Sequence, residues 1–122
     1  MESYKTIEVD ELAWLIDKNR VDAIIDSRPR DIFARGHVSG SRNFSSRQFE
    51  NFLPNILDFI EGGVENLVII TSEKDDTKEM MFNLLKQNSS CSSVSFANFN
   101  VKDWKDVGKV VEYETQAGQP YV

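Results

Sequence analysis

The stretch Ala23-Ile24-Ile25-Asp26-Ser27-Arg28-Pro29-Arg30-Asp31-Ile32-Phe33-Ala34-Arg35-Gly36 decides the fold. It opens as a short, nearly continuous apolar run, the pattern of a strand buried on both faces. Pro29 then starts a short helix through Ile32 and Phe33, since the first helical turn needs no amide hydrogen there, and Gly36 closes it. The same alternation recurs on either side. Upstream, Leu12, Leu15 and Ile16 step at helical spacing behind Asp10, the expected N-cap. Downstream, Phe49, Phe52, Leu53, Ile56, Leu57 and Ile60 form a helix face that Pro54 is expected to break in two, and Gly62-Gly63 stops it. Residues 67–71 read as a second buried strand, and Met80, Met81, Leu84 and Leu85 mark a further helix. The serine-rich loop 88–93, a third strand over residues 94–97 and a short helix over 101–106 follow. Strands separated by helices imply parallel pairing with right-handed crossovers. The expected architecture is therefore α/β: three layers, a central, mainly parallel five-stranded sheet, and helices on both faces. Ligands of such sheets meet the loops at the carboxyl ends of the strands. Two loops fall there, one from Ser27 onward and one over residues 71–77.

A chain of 122 residues holds one core, expected over residues 1–115 with a polar tail at 116–122. With 40% hydrophobic and 28% charged residues, the composition is that of a globular domain. Its apolar runs are far shorter than the ~20 residues of a membrane span, so no membrane association is expected. The first residues lack a basic segment followed by an apolar one, which points to an intracellular protein, cytoplasmic or nuclear. The single cysteine excludes an internal disulfide framework and a multi-cysteine metal site. Glu73, Asp75, Asp76 and Glu79 lack the central glycine of a calcium loop and read as a solvated helix start. No metal and no cofactor are expected.

A net charge of -6 argues against general nucleic-acid binding. The average conceals an asymmetry. Residues 28–47 hold five arginines (Arg28, Arg30, Arg35, Arg42 and Arg47) against one acid, Asp31, a local net charge of +4. The guanidinium fork suits carboxylate or phosphate, so the segment reads either as a self-paired, solvated face or as a site for an acidic partner.

The run from Asp26 to Asn43, with its Asp-x-Arg strand end and Gly36-His37-Val38-Ser39-Gly40-Ser41-Arg42-Asn43 turn, resembles the rhodanese-like family. The likeness spans roughly residues 7–111, with Trp104 and Gly108 near that family's late tryptophan and glycine. It implies structural jobs for several groups. Asp26 would accept hydrogen bonds from the turn that follows it, and Arg28 would pair with it or point outward. His37 would satisfy a buried carbonyl, while Gly40, Asn43 and Trp104 fill family positions in the turn, the next strand and the last helix.

The catalytic members of that family carry a cysteine directly after the strand matching residues 67–70. A loop of backbone amides follows it, with a serine or threonine opening the next helix. Here Thr71 takes the cysteine position and Thr77 closes the loop. Sulfur or phosphoryl transfer through a covalent intermediate needs a thiolate in a positive, amide-rich field. Thr71 offers no anion at neutral pH, and Glu73, Asp75 and Asp76 oppose an anionic substrate. Cys91 lies beyond the next helix and reads as an inert thiol. No catalytic residue is expected.

Cysteine-less rhodanese-like domains serve as regulatory or docking modules. The segment Ile25-Asp26-Ser27-Arg28-Pro29 and the cysteine-free Thr71-Ser72-Glu73 are similar to the N-terminal domain of dual-specificity MAP kinase phosphatases. That likeness implies a protein partner with an acidic surface, a MAP kinase being the specific alternative, met by Arg30, Arg35, Arg42 and Arg47. The two or three consecutive arginines of that group are absent. A sulfurtransferase and a spacer between neighbouring domains are the other readings.

Overall fold

The computed structural model describes residues 4–72 and 75–114. The expected polar tail, and Glu73 of the acidic run, lie outside the described residues. Along the chain run β1 (Lys5–Ile7), α1 (Val9–Asp17), β2 (Ala23–Asp26), α2 (Arg30–Ala34), β3 (His37–Val38) and β4 (Arg42–Asn43). A 3-10 turn (Ser46–Gln48) leads to α3 (Leu53–Ile60), β5 (Asn66–Thr71), α4 (Lys78–Asn88), β6 (Ser93–Asn98), α5 (Val101–Asp106) and β7 (Val111–Glu112). Five strands form one sheet in the order β1-β6-β5-β2-β4, and every pairing in it is parallel. The remaining two, β3 and β7, make a small antiparallel ribbon.

The strand periodicity sorts the core into two layers. Ile25, Leu67, Ile69, Val94 and Phe96 point to one face, where Ile56 and Ile60 of α3 and Met81, Phe82 and Leu85 of α4 cover them. Their strand neighbours Ile24, Val68, Ile70 and Ala97 point to the other, under Leu12 and Ala13 of α1, Trp104 of α5, and Val38 and Val111 of the ribbon. Both faces being dry is why β2 and β5 read as unbroken apolar runs rather than as alternating ones.

Two helix starts differ from expectation. Pro54 sits in the first turn of α3 and opens that helix instead of splitting one, because the ring supplies the helical φ where no amide donor is required. The residues before it make only the 3-10 turn. The N-cap of α1 is Glu8 rather than Asp10, with no side-chain capping bond. The Asp10 carboxylate, inside the first turn, accepts the Glu11 amide at 3.0 Å instead.

Gly36 is required at the turn between α2 and β3. Its φ is +148°, and a Cβ there would stand 2.6 Å from Val101 Cγ2 and 3.0 Å from Val111 Cγ1. Both obstacles are short, branched side chains that cannot swing aside. Gly36→Ala is expected to destabilise the domain by about 1–3 kcal/mol. Urea denaturation checks this, and an unchanged midpoint would mean that the turn yields.

Candidate functional site

The carboxyl ends of β2, β5 and β6 converge with the turn that follows β2. Asp26, the last residue of β2, is fully buried, and Arg28 is 5% exposed. The Arg28 guanidinium meets Asp26 through Nη2 to Oδ2 at 2.8 Å and Nε to Oδ1 at 3.0 Å, a forked pair. The Arg28 amide donates to the same Oδ1 at 3.0 Å. Nη2 also donates to the Gly36 carbonyl at 2.8 Å, and the guanidinium carbon lies 4.8 Å from the Phe99 ring centre. Arg28 thus ties β2, the end of α2 and the residue after β6 together, and it presents no charge outward.

Around this pair the other polar groups of the turn are bound as well. Asn43 Nδ2 donates to the carbonyls of Asp26 and Arg28, each at 2.9 Å. Ser27 donates both its amide and its hydroxyl to the Ile70 carbonyl at 2.8 Å, fixing the turn to the end of β5. His37 Nδ1 lies 2.8 Å from the Phe33 carbonyl, so that nitrogen carries the proton, and Nε2 faces the Glu112 carboxylate at 3.8 Å. The imidazole stacks on Phe33 at 3.7 Å. Gly40 takes a positive φ of 83° and donates its amide to Glu112. Trp104 is buried and meets Phe99 edge-on at 5.8 Å.

At the end of β5, Thr71 is 0% exposed, and its hydroxyl donates to Asn98 Oδ1 of β6 at 3.3 Å. Thr77 precedes α4, and both its amide (2.8 Å) and its hydroxyl donate to Asp75 Oδ1. The amide and the hydroxyl of Thr77 are thus both taken by the carboxylate of Asp75. Cys91, 4% exposed, lies ahead of β6 at the amino ends of the strands. With β5 and β6 in register over six residues, it is about one strand length, ~17–20 Å, from Thr71. Among the described residues no group of three or more His, Cys, Asp or Glu side chains could hold a metal ion.

The remaining arginines divide. Arg30 is paired with Glu114 at 3.0 Å. Arg42 lies across the rings of Phe59 (5.0 Å) and Phe44 (5.9 Å), on the β4 edge of the sheet. Arg35, Arg42 and Arg47 are exposed, and none has an ion pair among the described residues. Phe52, also exposed, stands 6.3 Å from Phe44. Sequence reasoning passed over Asn98, whose only signal was its place at the end of an apolar strand, and the closure of Thr77 by Asp75, which follows from a two-residue spacing. No described helix is long and apolar enough to cross a membrane.

Solved structures with this fold include the rhodanese-like domain of the Alr3790 protein from Anabaena sp., 19% identical, with a TM-score of 0.64 over 98% of this chain and 86% of that one. The BH2092 protein from Bacillus halodurans is 15% identical, with a TM-score of 0.60 over 98% and 84% of the two chains. Thiosulfate sulfurtransferase from Pseudomonas aeruginosa is 14% identical, with a TM-score of 0.63 over 92% of this chain but 21% of that one. No curated protein matches the sequence. The profile of the rhodanese-like domain matches residues 8–106, from the start of α1 to the end of α5, and so takes in the buried Asp26–Arg28 pair and the end of β5. On that match, across most of the chain, this protein belongs to the rhodanese-like domain family.

Proposed function

We propose that this rhodanese-like domain is non-catalytic and serves as an interaction module, offering exposed arginines to an acidic protein partner. One observation carries the reading: the position that the resemblance assigns to the catalytic cysteine is Thr71, a fully buried alcohol bonded to Asn98. An alcohol provides no thiolate, and among the described residues the hydrogen-bond partner of the Thr71 hydroxyl is the Asn98 side-chain amide, which is not a base. The Asp75 carboxylate on the Thr77 donors supports the same reading, since it fills the place where an anionic substrate would need them. The sole cysteine, Cys91, stands at the far end of the strands.

Arg42 and Arg47 are the core of the proposed surface, with Arg35 beside them in sequence and Arg30 available once Glu114 is displaced. A MAP kinase is the more specific reading of the partner. It is favoured by exposed Arg42 in β4 and exposed Arg47 after it, with exposed Phe52 close behind, a basic and apolar combination. The test is a salt series of association rates with a purified MAP kinase, and with the partner captured by proximity labelling, for wild type and Arg42→Glu/Arg47→Glu. The double variant is expected to associate about tenfold more slowly at low salt, with a flatter salt dependence, since the Debye length is ~10 Å at 0.1 M. Indistinguishable rates and slopes would leave the arginines as a solvated face.

A further inference from the structure

The arginine face coincides with an open edge of the sheet. In the order β1-β6-β5-β2-β4, β4 is a terminal strand, paired on one side only among the described residues. The N–H and C=O groups of successive residues in a strand turn to opposite edges. The Phe44 amide donates to the Asp26 carbonyl at 2.9 Å and the Ser46 amide to the Ser27 carbonyl at 2.9 Å, so both turn toward β2 and the turn after it. Asn43 and Ser45 therefore turn their main-chain groups away from β2. The Ser45 carbonyl accepts the Gln48 amide at 3.0 Å, whereas the Ser45 amide has no acceptor among the described residues. The amide and carbonyl of Asn43 and the amide of Ser45 are left for a further strand.

The side chains along this edge select its occupant. Arg42 stands level with Ile25 and shares a face with Phe44, two residues on. Its charge has no ion pair among the described residues, and exposed Phe52 extends the apolar surface beside Phe44. An added strand would set one side chain opposite Arg42 and another, two residues along, opposite Phe44, at the ~4.5–5.5 Å Cβ spacing of cross-strand pairs. A second copy of this chain is disfavoured there, because it would bring a second segment of net charge +4 against the first. We propose that the open edge of β4 takes an extended segment of the acidic partner as an added strand. A carboxylate of that segment lies opposite Arg42, and an apolar side chain two residues away packs against Phe44 and Phe52. The proposal rests on the arginine face being the docking surface, and it adds that main-chain hydrogen bonds hold the partner as well as charge.

The probe is the peptide Glu-Thr-Val-Thr-Glu, whose glutamates and valine share one face of a strand run in either direction. It is labelled with fluorescein and titrated with the full chain, with anisotropy and amide hydrogen exchange as readouts. Saturable one-to-one binding is expected, with exchange slowed at the Asn43 and Ser45 amides and little changed at Phe44 and Ser46. Ser45→Pro removes the edge donor alone, since the φ of Ser45 is −53°, close to the value proline imposes. This variant should keep the wild-type melting temperature and bind about tenfold more weakly. The same peptide N-methylated at its three central amides keeps its charge and leaves the protein unaltered, and it too should bind wild type about tenfold more weakly. Arg42→Glu should weaken binding by about tenfold, while Arg20→Glu, the same change in charge at the amino ends of the strands, should stay within about twofold of wild type. Unchanged binding by Ser45→Pro and by the N-methylated peptide, beside a weakened Arg42→Glu, would overturn strand addition and leave the arginine face standing. The reverse pattern would overturn the acidic occupant, and with it the arginine face. Absence of saturable binding would overturn the proposal. So would protection of the Asn43 and Ser45 amides that rises with protein concentration alone, since a second copy would then be the occupant.

Discussion

Arg28→Ala is expected to lower the unfolding free energy by about 3–5 kcal/mol, the cost of breaking a buried ion pair from one side. The variant removes the forked bond to Asp26, the bond to the Gly36 carbonyl and the contact with Phe99. What remains is a fully buried carboxylate whose guanidinium partner is gone. For a domain of 122 residues that corresponds to a melting temperature lower by roughly 10–20 °C. Replacing both partners, as in Asp26→Leu/Arg28→Met, should recover most of the loss, because no uncompensated charge then stays in the interior. The size of the penalty distinguishes the two roles sequence allows for Arg28. A binding arginine on the surface would cost little stability when removed, typically within about 0.5 kcal/mol. Thermal and urea melts of the single variant indistinguishable from wild type would contradict the buried pair.

That distinction shows where sequence stops. The Asp-x-Arg spacing at the end of an apolar run suffices to place Asp26 and Arg28 at a strand end, because a two-residue spacing across a tight turn brings their side chains back together. The layers were legible for a similar local reason: runs such as residues 67–70 can be continuous only where both sheet faces are covered. The short strands were not. β1, β3, β4 and β7 have two or three residues each, too few for periodicity to register, and they exist because long-range neighbours complete their hydrogen bonds. Pro54 shows the same limit: a proline that breaks a helix and one that starts a helix are the same letter. The arginine cluster was visible as composition, yet its division required the fold. Arg28 goes inward, Arg30 goes to Glu114 eighty-four residues away, and Arg42 lies on aromatic rings.

The largest functional difference is expected at Thr71. The sulfurtransferase among the structural relatives spans a chain of which this domain matches 21%, so its activity belongs to that whole protein. In this chain the Thr71 alcohol is sealed in the sheet against Asn98, and the amide and hydroxyl of Thr77 are already held by Asp75. Restoring sulfur alone should therefore not restore chemistry. A thiol introduced by Thr71→Cys would sit where Thr71 is 0% exposed, and that burial raises the cost of forming a thiolate. Thiosulfate:cyanide sulfur transfer by the purified protein is the most direct measurement. Wild type, Thr71→Cys and Cys91→Ser are all expected to match the no-protein control. Saturable turnover by wild type that Cys91→Ser abolishes would contradict a non-catalytic domain.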